Sequence, residues 1–237
     1  MIRSSNAFCW LLAVSVMWLA NARAVAQEQD SDRITEHDKK IFKDFMAAAG
    51  NAMNAKSQKE MQTLAVTNLR QIGLALFEFE TEYGAFPNEK TAAMVKDATE
   101  TKAELGAATA NDCFFQLVAS GIVQTERIFT FGAPAKAHGA QPKPAVGLEK
   151  CAFSYLSGMN AAGNPSRPLV VAPLVNGRKT FDPTIFGGRA VVLCVDNSVQ
   201  SFPIGKDGRV MIDGRDLFDP DQPFWSGKVP PILWPRD

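Results

Sequence analysis

The sequence predicts an α+β fold in which a long N-terminal amphipathic helix packs on an antiparallel sheet. Met61, Ala65, Leu69, Ile72, Leu76, Phe79 and Tyr83 recur at steps of three or four, which places them on one face of a helix. Short apolar runs rich in β-branched residues follow only after about residue 150, and the later ones are joined as successive hairpins by the turns Asp196-Asn197-Ser198 and Lys206-Asp207-Gly208. Helices first and hairpins afterwards point to an α+β arrangement rather than alternating βαβ units.

The chain opens with Arg3, an apolar run over residues 7–20 broken by a single serine, and the small-residue triplet Ala24-Val25-Ala26. A basic start, a short apolar core and an A-x-A end are the marks of a secretory signal, so residues 1–26 are expected to be a signal peptide cut before Gln27. Ala20-Asn21-Ala22 offers an alternative cut. A retained anchor is the competing reading, although the run falls short of the roughly 20 residues a membrane span needs. Cys9 lies inside the run, not at its end, so there is no lipobox.

The whole chain has 25 basic and 25 acidic residues, and loss of Arg3 and Arg23 leaves the mature part slightly acidic. No basic stripe is present, which excludes an electrostatic hold on nucleic acid. Residues 27–40 form a highly charged leader, and Thr35 followed by Glu36 and Asp38 favours a helix start. Ile41, Phe42, Phe45 and Met46 give a first apolar stripe, with Gly50-Asn51 a weak interruption. The clear stripe from Met61 to Tyr83 follows, widened by Leu64 and Phe77. Gly84 reads as the C-cap and Pro87 as the stop, so residues 41–87 form a helical arm.

Beyond the arm, residues 92–98 have helical composition, and Asn111 to Gly121 reads as a short helix capped by Asn111 or Asp112. Residues 131–147, rich in Ala, Pro, Gly and Lys, read as an exposed loop. An antiparallel sheet of about four strands is expected over residues 151–212: 152–156, 168–173, 189–195 with its hairpin partner 199–204, and 209–212. The turns are Asp196-Asn197-Ser198 and Lys206-Asp207-Gly208. The tail, residues 213–237, carries five prolines among Phe218, Phe224, Trp225 and Trp234, and is expected to wrap the domain through its aromatics. Residues 41–237 are thus read as one domain.

Chemistry-bearing motifs are scarce. His37 stands in the charged leader and His138 in the exposed loop, so neither has the neighbours of a catalytic base. There is no CxxC, HxH or HExxH for zinc. Gly187-Gly188 precedes a strand, where a nucleotide fingerprint would have to follow one, and reads as a turn. Asn164-Pro165-Ser166 fails as a glycosylation site because proline occupies its middle position. Asp207, Asp213, Asp216, Asp219 and Asp221 are the one site-like cluster, and loop oxygens suit calcium. Their spacing does not match an EF-hand, and aspartate is an ordinary turn former. Cys113, Cys151 and Cys194 read as three buried small hydrophobes, with a Cys151–Cys194 bridge as the alternative in an oxidising compartment. No catalytic, cofactor-binding or metal-ligating residue is assigned on this basis, and no cofactor is expected.

Two stretches carry a family resemblance. Asn68-Leu69-Arg70-Gln71-Ile72-Gly73-Leu74-Ala75-Leu76, followed by Glu82-Tyr83-Gly84-Ala85-Phe86-Pro87, resembles the helix exit of pilin-like proteins such as type II secretion pseudopilins. Residues 190–199 (AVVLCVDNSV) are similar to the hairpin near the C-terminus of those proteins, with Asn197 where glycine is usual. The resemblance implies a pilin-like fold and a place in a secretion or pilus-like system. The chain departs from that family in lacking a prepilin-peptidase motif joined to a long apolar helix, since the charged residues 27–40 intervene. The resulting expectation is a non-catalytic structural or interaction protein, periplasmic or secreted, with protein partners in the cell envelope. Membrane contact is expected only if the signal segment is retained. The alternatives are a periplasmic ligand-binding module stacking its ligand on Phe224, Trp225 and Trp234, and a hydrolase using paired carboxylates.

Overall fold

The computed structural model describes residues 36–131 and 147–236, with side chains from residue 40 onward. The signal segment, most of the charged leader, His138, the side chain of His37 and nearly all of the expected loop lie outside the described residues. The chain divides into two units, Met1–Ala52 and Met53–Asp237. Among the described residues no helix is long and apolar enough to cross a membrane.

Helix α1 runs unbroken over Glu36–Tyr83, so Gly50-Asn51 does not interrupt it. Within the second unit its predicted stripe is the helix's contribution to the core: Ala65, Leu69, Ile72, Leu76, Phe79 and Tyr83 are all buried. Leu64 was expected to widen that face but is exposed, whereas Phe77 is half-buried and meets Phe86 edge-on at 5.9 Å. Gly84 ends the helix at φ 78°, a left-handed conformation that glycine reaches without steric cost, and its N–H returns to the Glu80 carbonyl at 2.7 Å. Phe86 is buried beyond it, and the Tyr155 hydroxyl donates to the Pro87 carbonyl at 3.1 Å.

Helix α2 spans Glu89–Thr99, and a capping box between Asn88 and Thr91 starts it. Helix α3 spans Ala110–Ala119. Its cap is Thr109, not Asn111 or Asp112, and Asp112 instead closes the capping box from the third helical position. Asn111 is committed elsewhere: its amide donates to the Leu148 carbonyl at 2.9 Å and accepts the Arg236 N–H at 2.7 Å. That pair of bonds ties the helix to both a mid-chain loop and the C-terminal end. A 3-10 turn over Glu126–Phe129 follows, and Phe129 stacks on Phe114 at 5.1 Å.

The main sheet has five strands, all antiparallel. In chain order they are β1 (Ser154–Leu156), β2 (Pro168–Ala172), β3 (Arg189–Cys194), β4 (Val199–Pro203) and, from the tail, β7 (Ile232–Leu233). Their spatial order is β4-β3-β2-β1-β7. The β3–β4 hairpin pairs Val191 with Ser201 and Leu193 with Val199 across the predicted Asp196–Ser198 turn. Strands β1 and β2 are buried throughout, and β3 is buried after Arg189, which is what a sheet covered on both faces requires. Leu193 points at α1, where its Cδ1 would lie 3.1 Å from a Cβ at Gly73. Val192 and Cys194 point the other way and line a cavity with Leu217 and Phe224 of the tail. The tail therefore does cover a sheet face, as expected, and it also supplies the fifth strand.

The last expected strand, residues 209–212, is corrected by the structure. Only an isolated bridge, Ile204 to Val210, continues the hairpin. Met211–Ile212 (β5) instead pairs with Arg215–Asp216 (β6) in a separate two-stranded ribbon. Asp213 and Gly214 both have positive φ, 50° and 78°, the geometry of a two-residue type I′ hairpin turn. That turn folds the strand back on itself before it can extend the main sheet.

Hydrogen bonds fasten α1 to the rest of the second unit along its length. Gln58 Nε2 donates to the Thr184 carbonyl at 2.6 Å, Gln62 Nε2 to Ser201 Oγ at 2.8 Å, and Asn68 Nδ2 to the Thr130 carbonyl at 2.6 Å. Near the helix end, Glu80 Oε1 accepts the Ala161 N–H at 2.8 Å.

Candidate functional site

The cysteines are three free thiols. Cys113 and Cys194 are buried and Cys151 is half-buried. The alternative bridge between Cys151 and Cys194 is excluded by topology. Cys151 leads into β1 and Cys194 ends β3, with β2 between them. Two strand spacings separate such positions by roughly 10 Å, beyond the Cα reach of a disulfide at about 7 Å. Burial pushes the thiols up, Cys113 and Cys151 to about 12 and Cys194 to about 11, so they are protonated at neutral pH and poor nucleophiles.

The aspartates of the tail act as turn formers. Asp207 Oδ1 accepts the Arg209 N–H at 3.1 Å, Asp216 Oδ1 the Phe218 N–H at 2.7 Å, and Asp219 Oδ1 the Asp221 N–H at 2.9 Å. Each is a local side-chain-to-backbone bond two residues on. Arg209 adds positive charge beside Asp207 and Asp216, at 3.7 and 3.9 Å. Among the described residues no group of three or more His, Cys, Asp or Glu side chains is placed to hold a metal ion. Gly187 and Gly188 form the turn expected of them, both at positive φ just before β3.

The tail aromatics do not assemble into one exposed platform. Phe224 and Trp225 are buried and meet edge-to-face at 5.0 Å, and the Trp225 indole donates to the Leu217 carbonyl at 2.7 Å. Trp234 stands apart, with its indole N–H directed at the Arg178 carbonyl. Phe224 and Trp225 are packing residues, with their polar need met inside the fold.

What the structure leaves open is the front of α1. Ile41, Phe42, Phe45 and Met46, all in the first unit, are exposed, the two phenylalanines at 63% each. Their spacing of one, three and one residues keeps them in one helical stripe. A single exposed leucine needs no explanation, but four large apolar side chains on one stripe mark a surface built for contact. Compared with protein-family models, curated proteins and solved structures, the chain matches none.

Proposed function

We propose that this chain is an exported, non-catalytic interaction protein of the cell envelope, a pilin-like body that engages its protein partner through the front of α1. The exposed stripe of Ile41, Phe42, Phe45 and Met46 carries the reading. A stripe with i, i+4 repetition is the form in which an amphipathic helix enters an apolar groove or pairs with another helix. The apolar run over residues 7–20 followed by Ala24-Val25-Ala26 supports export. The helix exit at residues 82–87 and the residue 190–199 hairpin support the pilin-like reading, in a form where the charged leader replaces the apolar half-helix that builds a filament core.

The test is a photo-cross-linking amino acid placed at Phe45 in cells, with Lys102 as an exposed control position. An adduct with an envelope protein that forms at residue 45, is absent at residue 102 and disappears on Phe42→Glu supports the reading. Equal yields at both positions, or an adduct indifferent to Phe42→Glu, would sink it. Intact mass from fractionated cells checks the export step: a soluble species beginning at Gln27 is expected, and a membrane-bound species retaining residues 7–20 refutes it.

A further inference from the structure

We infer that the second unit carries a pocket for a compact oxyanion, a carboxylate or phosphate group, held by Arg167 and Lys228. Where β1 ends and the proline run enters β7, the surface encloses a cavity of about 240 Å³ bordered by Ser157, Arg167, Trp225, Lys228, Pro230 and Pro231. Its described lining contains two cations and no carboxylate. Like charges converging on one concave space are unfavourable unless something else is served, and an incoming anion relieves the repulsion.

Arg167 is held in place. Its Nε donates to the Phe224 carbonyl at 2.8 Å, which fixes the plane of the guanidinium. Its side chain lies across Gly163, where a Cβ would stand 2.7 Å from Nη1 and 3.3 Å from Cζ. A side chain at position 163 would push the guanidinium from this place. The terminal nitrogens make no hydrogen bond or ion pair with a described residue, so the outer edge of a positioned fork is open. Such a fork meets carboxylate or phosphate oxygens through two parallel N–H donors. Trp225 supplies the wall: its indole N–H is spent on Leu217, leaving an apolar ring that keeps water from one side. Lys228, exposed at the rim, adds a second charge on a flexible stem, and the Ser157 hydroxyl a further donor. The volume is below the range of about 300–1,000 Å³ that encloses drug-sized ligands, so the pocket takes an anionic head group.

The pocket is independent of the α1 stripe and is tested separately. The full mature protein is melted in rising inorganic phosphate, acetate and chloride at constant ionic strength. A bound anion raises Tm with the logarithm of its concentration once that exceeds Kd, so the curve bends over, whereas salt exclusion from the surface gives a rise linear in concentration. A logarithmic response to phosphate alone assigns a phosphoryl ligand, to acetate alone a carboxylate, and either supports the pocket. Arg167→Gln also removes the Phe224 bond and threatens the fold, so the deciding variants are Lys228→Gln, at the exposed rim, and Arg167→Lys, which keeps the charge and loses the fork. Each is expected to weaken the apparent Kd roughly tenfold or more, the loss of one charge-assisted hydrogen bond. A linear rise in every salt, or a logarithmic one unchanged in both variants, overturns the proposal.

Discussion

Gly73 offers the sharpest test of how α1 meets the sheet. Glycine inside a helix is about 1 kcal/mol worse than alanine, so Gly73→Ala in an unencumbered helix would stabilise by about that amount. Here a Cβ at position 73 would lie 1.9 Å from Asn197 Oδ1 and 3.0 Å from its Cγ, with Leu193 Cδ1 at 3.1 Å. The first distance is far inside contact, so the Asn197 amide must leave its place or the β3–β4 turn must lift. Asn197 sits at φ 64° and its Oδ1 is buried without a hydrogen-bond partner. Gly73 is thus a notch cut for a side chain that is itself poorly satisfied.

Overpacking of this kind costs about 1–3 kcal/mol. Set against the helix gain of about 1 kcal/mol, Gly73→Ala is expected to be neutral to destabilising by about 2 kcal/mol. In an Asn197→Gly background the obstacle is gone, the positive φ suits the new residue, and the same substitution should stabilise by about 1 kcal/mol. The quantity to measure is the coupling in a four-member cycle by urea denaturation, expected at about 1–3 kcal/mol. Additivity within about 0.5 kcal/mol, or Gly73→Ala stabilising the parent protein, would refute the notch.

Three further outcomes are expected. Gln116 is fully buried, donates to the Asn88 and Gly106 carbonyls at 3.1 and 2.7 Å and accepts the Thr91 hydroxyl at 2.7 Å. Gln116→Leu should therefore cost about 2–3 kcal/mol, seen as a lower urea midpoint with an unchanged slope. The buried thiols make stability depend on alkaline pH: their folded pKa values of about 11 to 12 exceed the unfolded value of 9.0, so the unfolded chain releases protons first. Their contribution is complete below pH 9 and declines as pH rises towards 11–12, by up to about 1.4 kcal/mol per pH unit for each thiol, read from denaturation at pH 8 and pH 10.5. Phe45→Glu, on an exposed turn of α1, should shift unfolding by no more than about 0.5 kcal/mol, and a large loss in the isolated protein would mean the stripe is already covered.

What was legible in the sequence was what is local. The Leu69-to-Tyr83 period, the Gly84 cap and the Asp196–Ser198 turn each state their geometry within a few residues, and each is found as read. Asp213-Gly214 is equally legible, since that dipeptide is the strongest short hairpin signal, but its place at the head of the proline-rich tail hides the β5–β6 ribbon it closes. Strand β7 left a weaker trace: Ile232-Leu233 is two residues long between prolines, which only a sheet edge tolerates. The Thr109 cap was hidden by a better-looking candidate, because nothing near Asn111 in the chain shows that Leu148 and Arg236 compete for its amide.

The candidate sites divide along the same line. An apolar stripe reads alike whether it is packed or waiting for a partner, so Ile41, Phe42, Phe45 and Met46 were visible while their exposure was not. The repetition of Ile41 with Phe45 and of Phe42 with Met46 was the available signal, since such pairs share one helical face. Arg167 and Lys228 had no signal of that kind, since they reach one cavity from separate segments with Gly163 and Trp225 between them. A site of that construction has no motif, and it becomes readable only when the strands that carry it are paired.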